Sequence, residues 1–326
     1  MATNWLCGLA AAALCYGLGA GVPATAQDYP SKPIKIIVPA GAGGPNDVPA
    51  RLASQILSPK LGQPVIIENR PGAGGAIGVR EVAKAAPDGH TLLSAGGAQL
   101  AVLPAMASSA GYDPTRDLAP IVKFMDGFQI LVVHPSAPWT SVKELIADAK
   151  ANPGKLNFAH VGNGHLTHLA GEMLMSRTGT KIVGIPYRSG GESVTAVLSH
   201  AVHMTFENVA ILIPLIREGK LRALAVTSRS RATLAPDLPT MIEAGVLDYE
   251  VTTFFGMLAP GATPRRLVDT LNATLREQLS TPDMQETILR LGGIPAAGSP
   301  EQFAATIAGD LAKWRALGRD ANIKID

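Results

Sequence analysis

Beyond residue 15 this 326-residue chain contains no cysteine; the two it has are Cys7 and Cys15. Without thiols, the remainder can form no disulfide, no thiolate metal site and no cysteine nucleophile, and must be held by its core. Charge is missing from Met1 to Gln27, which holds no Lys, Arg, Asp or Glu. That stretch carries an apolar run from Leu6 to Ala20, then Pro23 and Ala24-Thr25-Ala26. An apolar run followed by an A-x-A site reads as a secretory signal, residues 1–26, cut before Gln27. It is too short, and too diluted by Gly and Ala, for a comfortable membrane span. Neither cysteine follows a lipoprotein cleavage pattern, which argues against a lipid anchor. A surplus of one charge sign is also lacking: 28 Lys and Arg stand against 26 Asp and Glu. The basic residues are scattered, so no nucleic-acid partner is expected. After residue 27 no apolar run is long enough to cross a bilayer.

Catalytic patterns are missing too. No G-x-S-x-G elbow occurs: Ser94 precedes Ala95-Gly96-Gly97, and Ser189 sits in Tyr187-Arg188-Ser189-Gly190-Gly191. No H-E-x-x-H order is present. Glycine loops without a nucleophile point to binding rather than chemistry, so the chain is not expected to be an enzyme.

What is present is alternation. Short β-branched runs at Ile34–Val38, Val65–Ile67, Thr91–Leu93, Ile130–Val133, Leu156–Ala159, Ile182–Ile185, His203–Phe206 and Leu221–Thr227 read as strands. Helical spacing lies between them, at Asp47–Leu57, Ile77–Ala85, Val142–Ala149, Leu166–Arg177, Ser193–Leu198 and Ala210–Glu218. This predicts an α/β fold with mostly parallel sheets. Toward the C-terminus, Pro264, Pro282 and Pro300 each follow Thr or Ser, the N-cap and N1 pattern that starts a helix. The chain is expected to cross between domains near Phe124–Gln129 and again near Gly245–Thr253. Residues 27–125 and 250–326 would form one discontinuous domain and 126–249 the other, with a ligand between them.

Three glycine-bearing loops run from a strand into a helix. The first, Pro39 to Asp47, offers freed helix-start amides to an anion. A dinucleotide fingerprint fits it poorly, because Asn46 occupies the last glycine position. The second, Glu68 to Ala76, reads as a tight strand-to-helix turn. The third, His160 to His168, sets His165, His168 and Glu172 at helical spacing. Two ligands on one turn do not make a metal site, so an anion on helix-start amides is preferred, with no metal and no cofactor assigned.

These loops belong to a longer pattern. Tyr29-Pro30-Ser31-Lys32-Pro33-Ile34, Gly43-Gly44-Pro45-Asn46-Asp47 with Ala50-Arg51, Leu61-Gly62-Gln63-Pro64-Val65 and Glu68-Asn69-Arg70-Pro71-Gly72-Ala73-Gly74-Gly75 come first. Pro87 to Leu93, Tyr112-Asp113-Pro114, Ala151 to Leu156, Ile185-Pro186-Tyr187-Arg188, Gly219 to Thr227, Leu238-Pro239-Thr240 and Ala259-Pro260 follow in order. Together they resemble the Bug-type solute-binding proteins, the extracytoplasmic receptors of tripartite tricarboxylate transporters.

The resemblance implies a two-domain periplasmic-binding-protein (Venus flytrap) fold closing on a small carboxylated ligand, an aromatic acid or a dicarboxylate being considered. It implies ligand contacts from Ala40, Gly43, Gly44, Asn46 and Asp47, then Ser94, Gly97 and Ala98. From the other domain it implies Gly162, Asn163, Gly164 and His165, then Ser189, Gly190 and Glu207. Ala40 stands where the family usually has Phe, His165 where it has a small residue, Ser189 for Gly, Glu207 for Asp, and Phe254 for Trp. The implied partners are membrane permease subunits; the protein is expected to be periplasmic and monomeric. A sensor for a signalling partner and a secreted hydrolase are the alternatives.

Overall fold

A computed structural model describes residues 29–107, 110–323 and 325. The proposed signal at 1–26 lies outside the described residues. The first strand, β1 (Ile34–Val38), has Ile34, Ile36, Ile37 and Val38 fully buried. A run apolar on both faces suits the middle of a parallel sheet, and β1 pairs in parallel with β2 (Val65–Asn69) on one side and β3 (Thr91–Gly96) on the other. The crossovers are α1 (Asp47–Leu61) and α2 (Ala76–Ala83), the latter preceded by a short 3-10 turn at Ala73–Gly75. Past β3 the chain makes a π-helical turn, Ala98–Val102, that continues into α3 (Leu103–Met106).

The spine of the molecule is the 16-residue strand β4 (Leu118–Val133). Its first part, to Phe128, pairs antiparallel with the strand Thr252–Pro260, while Gln129–Val133 pair antiparallel with strands from the middle of the chain. That middle stretch contains α4 (Val142–Ala151), β5 (Asn157–His160), α5 (Leu166–Thr178), β6 (Val183–Pro186), α6 (Gly190–Leu198), β7 (Met204–Asn208), α7 (Val209–Arg217) and β8 (Arg222–Val226). Thr252–Pro260 is β9, followed by α8 (Arg265–Leu279), α9 (Pro282–Arg290), β10 (Ile294–Pro295) and α10 (Pro300–Asp320). The strand order is β2-β1-β3-β9-β4-β7-β5-β6, with β8 and β10 also on β4.

The expected parallel pairing holds for β1 with β2 and β3, and for β5 with β6 and β7; every pair made by β4 or β9 is antiparallel. The difference follows from β4 being one uninterrupted strand. The stretch Phe124–Gln129, where the sequence places a crossing between domains, is part of it, and its hydrogen-bond partner changes between Phe128 and Gln129.

Helix α10 ties the two halves of the sheet together. Ser299 and Gln302 form a reciprocal capping box at its start, with Pro300 in the first turn. Its Phe303 and Ile307 pack with Ile37, Leu93 and Phe254, whereas Trp314 and Leu317 pack with Leu131, Val133 and Phe158. One helix thus has one end in each core.

Candidate functional site

A cavity of about 570 Å³ lies where the halves meet over β4, within the size range of small-molecule sites. From the first half its wall takes Ala40, Gly43, Gly44, Asn46, Gly97 and Ala98. The second half supplies Gly164, His165 and Glu207. Three stretches of this wall sit at helix starts: Gly43–Asn46 before α1, Gly97 and Ala98 at the π-helical turn, Gly164 and His165 before α5. Helix dipoles at such ends favour negative charge, while the first amides of α1, at Asp47 and Val48, donate to Gly44 O within the loop.

Asp47 does not line the cavity but holds the first loop in shape. Its fully buried carboxylate accepts from Gly43 N (2.9 Å), Arg51 Nε (2.7 Å) and Asn69 Nδ2 (3.0 Å). Burial alone would raise its pKa; the Gly43 amide, the Asn69 amide and Arg51 together hold it below the usual carboxylate range. Gly43 has φ +77°, a conformation that glycine adopts freely, and this lets its N–H turn back to Asp47. Ser94 also lies one layer behind, its hydroxyl donating to Asn46 O at 2.8 Å.

Four other residues implied by the resemblance stand off the wall. Gly162 and Asn163 form the half-exposed turn between β5 and α5, with Gly162 O accepting from His165 N. Ser189 caps α6, its Oγ accepting from Glu192 N. Gly190 opens that helix, and a Cβ there would come 2.7 Å from Glu207 Oε2, so a larger residue would require this carboxylate to move.

Glu207 is the acid most at odds with its surroundings. It is buried, Oε2 accepts only from Asn208 N at 3.2 Å, and Oε1 has no partner. Burial pushes its pKa up to about 7, with the Asn208 N–H pulling back. The cavity wall contains one other carboxylate, Asp126, paired to Lys123 Nζ at 2.9 Å, and no Lys or Arg.

His165 Nδ1 caps α5, accepting from Thr167 N, and desolvation, followed by the neighbouring His160, pushes its pKa down. His168 accepts from Gly164 N through Nδ1 and lies 3.4 Å from Glu172 Oε1 through Nε2. Among the described residues no group of three or more His, Cys, Asp or Glu is placed to hold a metal ion.

Several wall residues escaped sequence reasoning. Gln99 meets Asn46 across 53 residues, and Thr252, Thr253, Phe255 and Trp314 arrive from the far end of the chain. Asp126 to Gln129 had a usable signal, since a segment crossing between domains must pass the site they enclose. Phe254, noted for replacing Trp, packs edge-on against Phe303 in the core instead.

Residues 49–323 match the family described as "Tripartite tricarboxylate transporter family receptor". Protein BugT of Bordetella pertussis is 37% identical over 308 residues, 94% of each chain. Among solved structures, R. palustris Rpa4515 with adipate is similar at 32% identity and TM-score 0.77, covering 91% of this chain and 99% of its own. MatC from Rhodopseudomonas palustris, with bound malate, is 28% identical at TM-score 0.73, covering 89% and 99%. The fold is that of periplasmic binding proteins of this type. With a family match over most of its length and a cavity between the halves of its sheet, the chain belongs to the tripartite tricarboxylate transporter receptor family.

Proposed function

We propose that this protein is a periplasmic receptor that captures a small carboxylated ligand between two domains and delivers it to the membrane subunits of a tripartite transporter. The observation that carries the reading is the convergence of helix starts from both halves, at Gly43–Asn46, Gly97–Ala98 and Gly164–His165, on one cavity. The relatives with adipate and malate support a carboxylate as the ligand. The domains are 27–125 with 250–326, and 126–249. The change of pairing partner on β4 at Phe128 and Gln129 supports this division, as does the start of β9 at Thr252. Residues 1–26 act as the export signal, and no helix among the described residues is long and apolar enough to cross a membrane. The protein works as a monomer, without metal or cofactor.

Protein expressed without residues 1–26 and exhaustively chelated tests this by thermal shift and calorimetry against a panel of small carboxylates. A ligand that binds only the folded state at a hundredfold excess over Kd adds about 2.7 kcal/mol to apparent stability. Binding that persists after chelation supports the reading. Binding lost on chelation and restored by zinc overturns the metal-free site and brings back His165, His168 and Glu172 as ligands. Turnover of any panel member would argue for an enzyme.

A further inference from the structure

Three buried side-chain oxygens of the wall have no donor. Gly74 O can only accept, so the Gln99 amide that donates to it must turn its Oε1 toward Asn46. Asn46 Nδ2 then donates to Gln99 Oε1 at 3.0 Å, which leaves Asn46 Oδ1 with no donor. Asn46 is 6% exposed and comes from the first half. From the second half, Glu207 is 4% exposed and its Oε1 has no donor either. Gln129, 4% exposed on the crossing strand, leaves its Oε1 equally alone. Buried acceptors without donors are uncommon in folded proteins, because each forfeits hydration without replacing it.

Charge points the same way. Asp126 has Lys123 beside it, but Glu207 has no cation in contact, and the wall holds no Lys or Arg. His165, the other titratable group of the wall, has its pKa pushed down by desolvation and by the neighbouring His160. A ligand with a carboxylate at each end would bring its second charge to a wall with no cation to meet it and an acid already buried there. An N–H group would give Glu207 Oε1 the donor it lacks.

We propose that the cavity selects a carboxylate whose other end carries an N–H donor, an ammonium or a primary amide, over a dicarboxylate of the same length. This rests on the receptor reading above and adds that Glu207 is its specificity-determining residue. The apolar stretch between the two polar ends of such a ligand would lie against Val48, Phe128, Leu166 and Phe255, which also line the cavity.

Two length-matched series test it by calorimetry at pH 8: adipate, 6-aminohexanoate, adipamate and hexanoate, and succinate, 4-aminobutanoate and succinamate. The expected result in at least one series is that the amino acid binds tenfold or more tighter than the diacid, with the amide between. Hexanoate, with no polar end, should fall below 6-aminohexanoate. Glu207→Gln, which keeps the shape and removes the charge, should shrink the preference for ammonium over diacid at least tenfold. The wild-type ranking stands independently of that variant's folding. A diacid equal to or tighter than its amino counterpart in both series overturns the inference and leaves the receptor reading intact. An unchanged ratio in Glu207→Gln overturns the role given to that residue. Failure of every member of both series to bind overturns the inference; the receptor reading falls only if the wider carboxylate panel, aromatic acids included, fails as well.

Discussion

Gly43 and Asp47 are locked across one turn, the Gly43 N–H donating to Asp47 Oδ2 at 2.9 Å while Arg51 holds the same oxygen at 2.7 Å. The carboxylate thus fixes a cavity-lining glycine without touching the cavity. As a bare helix-start charge Asp47 would contribute only about 0.3–1 kcal/mol. Its three donors make it more than that, because truncation removes the one carboxylate that Gly43 N, Asn69 Nδ2 and Arg51 Nε all donate to. Asp47→Ala is expected to lower unfolding stability by about 2 kcal/mol and to weaken ligand binding tenfold or more. Asp47→Asn, which keeps an acceptor, should lose less of both. Urea unfolding and calorimetry well below the transition separate the two effects; an unchanged Kd in a folded Asp47→Ala protein would reduce the residue to a helix cap.

Glu207 makes the stability of the ligand-free protein depend on pH. Its folded pKa, about 7, lies above the ordinary 4.5, so the folded state holds the proton more tightly than the unfolded chain. Stability from this group is therefore complete below pH 4.5 and is lost as pH rises to about 7. At 1.36 kcal/mol per pKa unit the swing is about 3 kcal/mol. Glu207→Gln should flatten this component of the pH profile and raise the transition temperature at pH 8. Parallel wild-type and variant melting curves across pH 5 to 8 would sink the argument.

The strands that the sequence announced are those whose β-branched runs are bounded by turn residues, such as Ile34–Val38 and Val183–Pro186. The long spine was visible only at its end, Ile130–Val133, because Pro120, Asp126 and Gly127 interrupt the pattern. Register shifts between Pro120 and Val122, and between Lys123 and Met125, carry the strand on without ending it, while Asp126 and Gly127 stay in register with Phe254 and Thr253. Thr252–Pro260 was missed because burial on both faces erases alternation, leaving Phe254, Gly256, Met257 and Leu258 without a period to read. The glycine loops were legible because helix starts carry local signals. The Asn46–Gln99 contact carries none, since it exists only once β3 and α1 lie side by side.

Ala40 sets the size of the cavity at the end of β1. It lines the wall where relatives are expected to carry Phe, and its carbonyl is anchored by Asn69 Nδ2 at 3.1 Å. Ala40 lines the cavity and also packs against the core of the first half, so a ring accommodated here takes its space from the cavity, the open side of the residue. Ala40→Phe should therefore keep its stability within about 1 kcal/mol and lose affinity for bulky or aromatic carboxylates at least tenfold, while short aliphatic ones are spared. Competition between benzoate-sized and acetate-sized acids in both proteins checks this. Short acids winning equally in both would show that the space left by Ala40 is not used.

Trp314 offers a direct optical reading of the site. It lines the cavity, yet its indole is 1% exposed and packs in the core of the second half. It sits on α10, the helix whose Phe303 is anchored in the first half. The other described tryptophan, Trp139, donates Nε1–H to Asp148 Oδ2 at 2.9 Å and does not line the cavity. Any ligand that fills the cavity or shifts the halves against each other must change the surroundings of Trp314 and leave Trp139 alone. Ligand addition is expected to change tryptophan emission in the wild type, and Trp314→Phe should abolish most of that change while retaining an aromatic side chain in the core. Trp314→Ala removes the packing as well, at a cost of about 3–5 kcal/mol, and should lower the unfolding midpoint accordingly. A full-sized emission change in Trp314→Phe would place the optical response elsewhere and break the link drawn between this helix and the cavity.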